Sequence, residues 1–237
     1  MENGIRVIDN GGKNVTQKKA ARAVTPDRIQ EQLRKEIIIG KYRKGDKIVE
    51  IDLAEEFGAS RGSVRSALQA LESEGMIRVL PNGRKEVVGF TQKEAHDMYE
   101  LRWRIEKYAV EVAWEHKTMN FAPLLAVLRE IEQCAQEQDS ETDWYDLDIR
   151  FHHALVQVAD SAPLLKAWEI TMPTMYALLE LNTSIDYKAQ YIEEFLFKHK
   201  AISEMIITGD EQIYDVLKEH ITTANAISER VMAHFNP

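Results

Sequence analysis

The sequence predicts a mainly α protein in two parts: a small N-terminal module of short helices and a β-hairpin, then a body built of helices alone. Three observations carry this. Apolar residues recur at three- and four-residue spacing through most of the chain after Thr25. The only convincing β-rich runs, Met76–Leu80 and Arg84–Val88, flank the turn residues Pro81, Asn82 and Gly83. Thr91 and Glu94 then form a capping box that opens a helix directly after the second run, which puts a domain boundary near Gly89 to Thr91.

Residues 1–24 contain Gly4, Gly11, Gly12 and scattered Lys and Arg without periodicity, and are expected to form a flexible, mildly basic arm. Thr25 and Pro26 are an N-cap and a first-turn proline, Ile29, Leu33 and Ile37 line one face, and Gly40 stops this first helix. Ile48, Leu53, Ala54 and Phe57 make a short second helix, and Phe57-Gly58-Ala59 turns into Ser60. Ser60 is a good N-cap, Val64, Ala67, Leu68 and Leu71 give the third helix one buried face, and Gly75 ends it. Two short helices joined by a tight glycine turn are a helix-turn-helix, and the hairpin after them is a wing.

Arg61, Ser63 and Arg65 fall in the first turns of the third helix, off its apolar face. A helix N-terminus carrying two arginines and hydroxyls suits a nucleic-acid backbone and base edges. Arg84 and Lys85 stand at the wing tip, placed for phosphate or a minor groove.

Charge distribution agrees. The net charge is −9, yet residues 1–90 hold 17 Lys and Arg against 13 Asp and Glu, while the remainder holds 13 against 26. A basic module on an acidic body is the asymmetry expected when one end meets phosphate. No apolar run reaches the length of a membrane span and no signal peptide opens the chain, and the single cysteine, Cys134, excludes an internal disulfide framework and reads as a small core residue. A cytoplasmic protein without membrane contact is expected.

The segment DLAEEFGASRGSVRSALQALESEGMI resembles the winged-helix domain of the GntR family of bacterial transcription regulators. Ser60, Arg61 and Arg65 match the positions that open the family's recognition helix, and Leu71, Glu74 and Gly75 match its end; the wing differs in having Gly83 before Arg84. The resemblance implies a DNA-binding domain over residues 25–90, with Ser60, Arg61, Ser63, Arg65 and Arg84 toward double-stranded operator DNA. One such module reads few bases, so a homodimer on a two-fold symmetric operator is expected.

The body, residues 91–237, reads as six helices over Gln92–His116, Ala122–Gln138, Asp143–Ala159, Ala162–Leu181, Tyr187–Thr208 and Glu211–His234, with Gly209 and Asp210 separating the last two. Pro173 is expected to kink or split the fourth of these, and a split would make the count seven.

Four of these helices place a polar residue in the middle of an apolar stripe: Arg102, Asp148 with His152, His199, and His220. Burying one such group unpaired is costly, so four at similar depth are expected to meet. Asp148 and His152, four apart, share a helix face. Three imidazoles and a carboxylate suit zinc, nickel, cobalt or manganese, and Arg102 can fork onto a carboxylate. The same set can activate water in a metal-dependent hydrolase or lyase, or form simple polar pairs in a helical dimerisation scaffold. No carboxylate stands out as a general base, and Glu106, one turn from Arg102, reads as its helix ion-pair partner.

The body resembles the FCD ligand-binding domain of the FadR subfamily. DIRFHHAL resembles its Asp-x-x-Phe-His pattern, matching Asp148 and His152, His199 and His220 resemble the other two metal positions, and MYELRWRIE resembles the segment whose arginine, here Arg102, meets the effector. The resemblance implies a divalent transition metal (Zn, Ni or Mn) and a small carboxylate or sugar-acid effector beside it.

Overall fold

The computed structural model describes residues 24–116, 119–137, 142–181 and 189–235, together with two strands at 6–8 and 14–16. Those strands, β1 (Arg6–Ile8) and β2 (Asn14–Thr16), pair antiparallel with Val7 opposite Val15. This corrects the expectation of an arm without regular structure. Val7, Ile8, Val15 and Thr16 are β-branched and favour extended pairing, and runs of three are too short for periodicity to register.

Helix α1 (Pro26–Ile38) is capped by Thr25, whose hydroxyl accepts from the Arg28 amide, and it buries Ile29, Leu33 and Ile37. Gly40 ends it at φ +75°, a left-handed conformation that glycine adopts without steric cost. Strand β3 (Lys47–Ile48), helix α2 (Glu50–Glu56), helix α3 (Arg61–Ser73), β4 (Ile77–Val79) and β5 (Lys85–Val87) follow. The sheet order is β3-β5-β4, with β5 antiparallel to both neighbours. Ile48 therefore belongs to a strand opposite Lys85 and not to the second helix, which starts only at Glu50. A strand made by pairing with a segment 37 residues downstream leaves no local periodic trace.

Between α1 and α3, Arg34 forks onto Glu74, with Nε to Oε2 at 2.8 Å and Nη2 to Oε1 at 2.7 Å, and Gln30 donates to the same carboxylate. The fork ties the C-terminal end of α3, where Glu74 is the C-cap, to α1.

Six helices complete the described chain: α4 (Gln92–His116), α5 (Ala122–Glu137), α6 (Trp144–Gln157), α7 (Ala162–Leu181), α8 (Ala189–Thr208) and α9 (Ile213–Phe235). The capping box is reciprocal: the Thr91 amide donates to Glu94 at 2.7 Å and the Glu94 amide to the Thr91 hydroxyl at 3.2 Å. Pro173 does not split α7, so the count is six among the described residues. Trp168, Met175 and Leu178, buried on either side of it, hold the flanking turns in place against the roughly 3 kcal/mol cost of an interior proline. The expected start of α8 at Tyr187 lies outside the described residues. Cys134 is half-buried against the core.

Helix α4 packs on α6, α7 and α9, α5 on α6 and α8, and α8 on α9. Helix α7 also packs on α1, with an ion pair between Lys35 and Glu180, so the helical body touches the winged part through this helix pair. No described helix is long and apolar enough to cross a membrane.

Candidate metal centre and nucleic-acid interface

The inward faces of α4, α6, α8 and α9 converge on one polar cluster inside an apolar shell. Asp148, His152, His199 and His220 each offer a ligand atom, and these atoms all lie within 4.8 Å of one another. Asp148 Oδ1 is 3.3 Å from His199 Nε2, 3.7 Å from His220 Nε2 and 3.8 Å from His152 Nε2, while the Nε2 atoms of His152 and His220 are 3.1 Å apart. Phe151 and Phe195 wall His199 at ring-centroid distances of 4.6 and 4.0 Å. The side chains of His152 and His199 are fully buried, and His220, at 13% exposure, is the most open of the four.

Outer partners set which ring nitrogen carries the hydrogen. His199 Nδ1 faces the Phe195 carbonyl at 2.6 Å, and a carbonyl only accepts, so Nδ1 donates. The other nitrogen, Nε2, is then a lone pair in the neutral ring. It is buried without a hydrogen-bond partner among the described residues and faces the Asp148 carboxylate. His152 Nδ1 donates to Glu106 Oε2 at 2.6 Å, which leaves its Nε2 as a second inward lone pair. Two inward lone pairs, a carboxylate and the His220 Nε2, which shares a 3.1 Å hydrogen bond with His152 Nε2, fit a cation once His220 turns its own lone pair inward, and nitrogen-plus-carboxylate donors suit a transition ion. The residues present can hold a metal.

Arg102 stands beside this set and is divided between two carboxylates of the chain. Its Nε donates to Glu106 Oε1 at 2.8 Å and its Nη2 to Asp148 Oδ2 at 3.2 Å, and its guanidinium carbon lies 5.7 Å from the Trp168 ring. The split arises because Glu106, from the same helix, and Asp148, from α6, both reach the guanidinium. Glu106 is the residue that sequence reasoning undervalued. It does pair with Arg102, but it is fully buried and also orients His152. Its place beside Ile105 on the inner flank of the α4 stripe was the available signal.

Burial works to raise the Asp148 carboxyl, but Arg102 and the neighbouring imidazoles hold it well below the carboxylate range. Burial is likewise outweighed at Glu106 by His152 and Arg102, which lower it. Desolvation lowers His152, and it pushes His220 down to about 3. A metal ligand imidazole must be neutral; in that state Arg102 balances one of the two buried carboxylates and leaves one negative charge in a dry interior.

At the other end of the chain, Ser60 caps α3, accepting from the Ser63 amide at 3.0 Å, and the two hydroxyls lie 2.9 Å apart. Arg61, Arg65 and Arg84 are exposed. Arg65 is also paired, to Glu50. Lys85, expected at the wing tip, lies in β5 and is held by Glu50 at 3.0 Å. His153, beside the cluster in sequence, points elsewhere and sits 3.9 Å from Glu169.

A winged helix-turn-helix followed by a helical domain closed around an ionisable cluster defines a DNA-binding transcription regulator. Residues 25–87 match the family described as bacterial regulatory proteins, gntR family, and residues 97–223 match the FCD domain. The chain belongs to the GntR family and carries an FCD domain, in a family of regulators and not of enzymes, which sets aside the hydrolase or lyase alternative. A gluconate operon transcriptional repressor of Bacillus licheniformis is 28% identical over 199 residues, covering 83% of this chain and 82% of its own. The uncharacterised HTH-type regulator YdhC of Bacillus subtilis is 26% identical over 215 residues, 90% of this chain and 89% of its own. Among solved structures, Lar, which controls the agr system of Listeria monocytogenes, aligns with TM-score 0.68 at 18% identity over 89% of this chain and 99% of that one. The metal-free FCD domain of TM0439 aligns with TM-score 0.51 at 21% identity over 62% and 99%. These two likenesses are of fold.

Proposed function

We propose that this regulator binds operator DNA as a homodimer, and that a small carboxylate or sugar acid, held beside a divalent metal in the helical domain, sets its operator affinity. The observation that carries this reading is the buried, unpartnered Nε2 of His199 facing the Asp148 carboxylate. Asp148, His152, His199 and His220 are the metal ligands, and the ion supplies Lewis acidity toward a ligand oxygen. Zinc, nickel and manganese all accept this donor set.

The charge inventory supports an acid as the ligand. One uncompensated negative charge remains in the cluster, so a divalent cation brings it to a net positive charge, which a carboxylate then neutralises. Arg102 lies at hydrogen-bonding distance from Asp148 and is the cationic side chain available to the acid. Similarity to gluconate operon repressors favours a sugar acid. The reading assigns residues 25–90 to DNA, with Ser60, Arg61, Ser63, Arg65 and Arg84 at the interface, residues 91–237 to sensing and dimerisation, and residues 1–24 to an arm. The protein acts in the cytoplasm. The acid changes DNA affinity only through its differential affinity for two domain arrangements, and the α1–α7 packing is where those arrangements are compared.

A thermal-shift screen of sugar acids, gluconate included, and small organic acids tests this, with and without chelator. A ligand at a hundred times its Kd stabilises by about 2.7 kcal/mol, a rise of roughly 5–10 °C for a chain of this size. The rise should vanish with chelator. Shifts indifferent to chelator, or no shift with any acid, would favour the metal-free scaffold.

A further inference from the structure

Glu50, the first residue of α2, joins three elements of the winged module. Its Oε2 accepts from Arg65 Nε at 3.3 Å and Nη2 at 3.2 Å, and its Oε1 accepts from Lys85 Nζ at 3.0 Å. Arg65 comes from the helix assigned to read DNA and Lys85 from the wing strand. The side chain of Glu50 is 25% exposed, that of Lys85 18% and that of Arg65 62%. A carboxylate on a surface meant for phosphate is unfavourable for binding DNA in general, so its position calls for a specific role.

We infer that Glu50 is a positioning residue for sequence recognition: it holds one edge of the Arg65 guanidinium so that the opposite end is presented to a base, and it locks the wing to the recognition helix. The inference rests on the reading of α3 as the DNA-contacting helix. Arginine has five donor hydrogens in a fixed plane. Glu50 takes the edge formed by Nε and one Nη2 hydrogen. The remaining end, the two Nη1 hydrogens and the second Nη2 hydrogen, is the fork that reads guanine O6 and N7 in a major groove. An unrestrained arginine at this position reaches phosphate as readily, and phosphate contacts carry no sequence information. The adjacent carboxylate opposes that alternative by like-charge repulsion and takes Lys85 out of the pool of phosphate-seeking cations. Exposed ion pairs contribute little to folding, so the role shows in discrimination between DNA sequences and not in stability.

The test uses the full-length protein and a randomised duplex pool, from which wild type selects its preferred sequence. Affinities for the selected duplex and for a shuffled duplex are then measured by fluorescence anisotropy over a salt series. Arg65→Ala should lose about tenfold or more on the selected duplex. Glu50→Gln should bind the shuffled duplex more tightly and steepen its salt dependence by about 0.9 for each cation released to phosphate. Its preference for the selected over the shuffled duplex should fall about tenfold, and its own selection from the pool should lose one base pair per half-site. Glu56→Gln, which removes another α2 carboxylate paired to a lysine, Lys41, should leave the preference unchanged. If Glu50→Gln keeps the wild-type preference, or loses affinity for both duplexes equally with a lower melting temperature, the positioning role is overturned. If Arg65→Ala binds the selected duplex like wild type, the reading of α3 itself falls, and the inference with it.

Discussion

His152 donates from Nδ1 to Glu106 Oε2 across 2.6 Å, although the two residues stand 46 apart in the chain. The same carboxylate accepts from Arg102, so one fully buried glutamate both orients an imidazole and neutralises a guanidinium. Because a carboxylate only accepts, the bond fixes the ring hydrogen on Nδ1 and aims Nε2 at the cluster. Outer partners of this kind raise the basicity of a ligating histidine and restrict its rotation.

Glu106→Gln should therefore weaken metal binding by about 10–100-fold while operator binding without acid stays near wild type. Competition against a chromophoric chelator measures the first, and anisotropy with labelled operator the second. Unaltered metal affinity would separate Glu106 from the site.

His199→Ala removes a proposed ligand outright and should cost more metal affinity than the ~10–100-fold of an outer partner. Metal content by mass spectrometry should fall, the thermal response to acids should disappear, and DNA binding should persist. A full acid response in this variant would take the cluster out of the sensing mechanism.

The metal-stripped protein should lose stability in acid, with a sign set by the cluster. Burial holds His152 below its ordinary value and His220 down at about 3, against 6.5 for an unhindered ring. Between those values the unfolded chain binds more protons than the folded one, so stability falls as the pH drops through that window. The depressed Asp148 and Glu106 carboxyls have the same sign and extend the loss to lower pH. Thermal melts of chelated protein between pH 7.5 and 5 should show a falling midpoint, and His220→Gln should flatten the slope. A midpoint independent of pH over this range would contradict the buried neutral imidazoles.

Glu74→Ala strands Arg34, whose side chain is only 4% exposed, without its forked partner. Removing one member of a buried pair costs about 3–5 kcal/mol, and the partial exposure of Glu74 places the expected loss near the lower end. Urea unfolding measures it, and Arg34→Met in the same background should recover most of it. Arg78→Ala, which breaks an exposed wing pair with Glu86, should change stability by less than about 1 kcal/mol.

Helix identity was readable locally wherever capping and periodicity agreed. Thr25-Pro26, Ser60 and the Thr91–Glu94 box mark starts by satisfying exposed amides, a chemistry confined to neighbouring residues. The buried faces carrying Asp148, His152 and His199 were legible for the same reason: a polar residue on a regular apolar stripe must go inside with it. Ile48 was misread because its strand exists only by pairing with β5, and the choice between six and seven helices at Pro173 was left to packing on both sides of it, which keeps α7 in one piece.

The order of residues by itself determined where helices begin, which faces are apolar, that basic charge gathers before Thr91, and which polar groups are driven into the interior. Periodicity says that a side chain is inward; it does not say what it meets. Only the tertiary structure decided that Arg102 divides itself between Glu106 and Asp148, that Glu106 reaches His152, and that Glu50 joins Arg65 to the wing. Apart from the Arg102–Glu106 pair within α4, these are contacts between elements distant in sequence, settled by packing angles and by the need to pair each buried charge, and no local pattern encodes either.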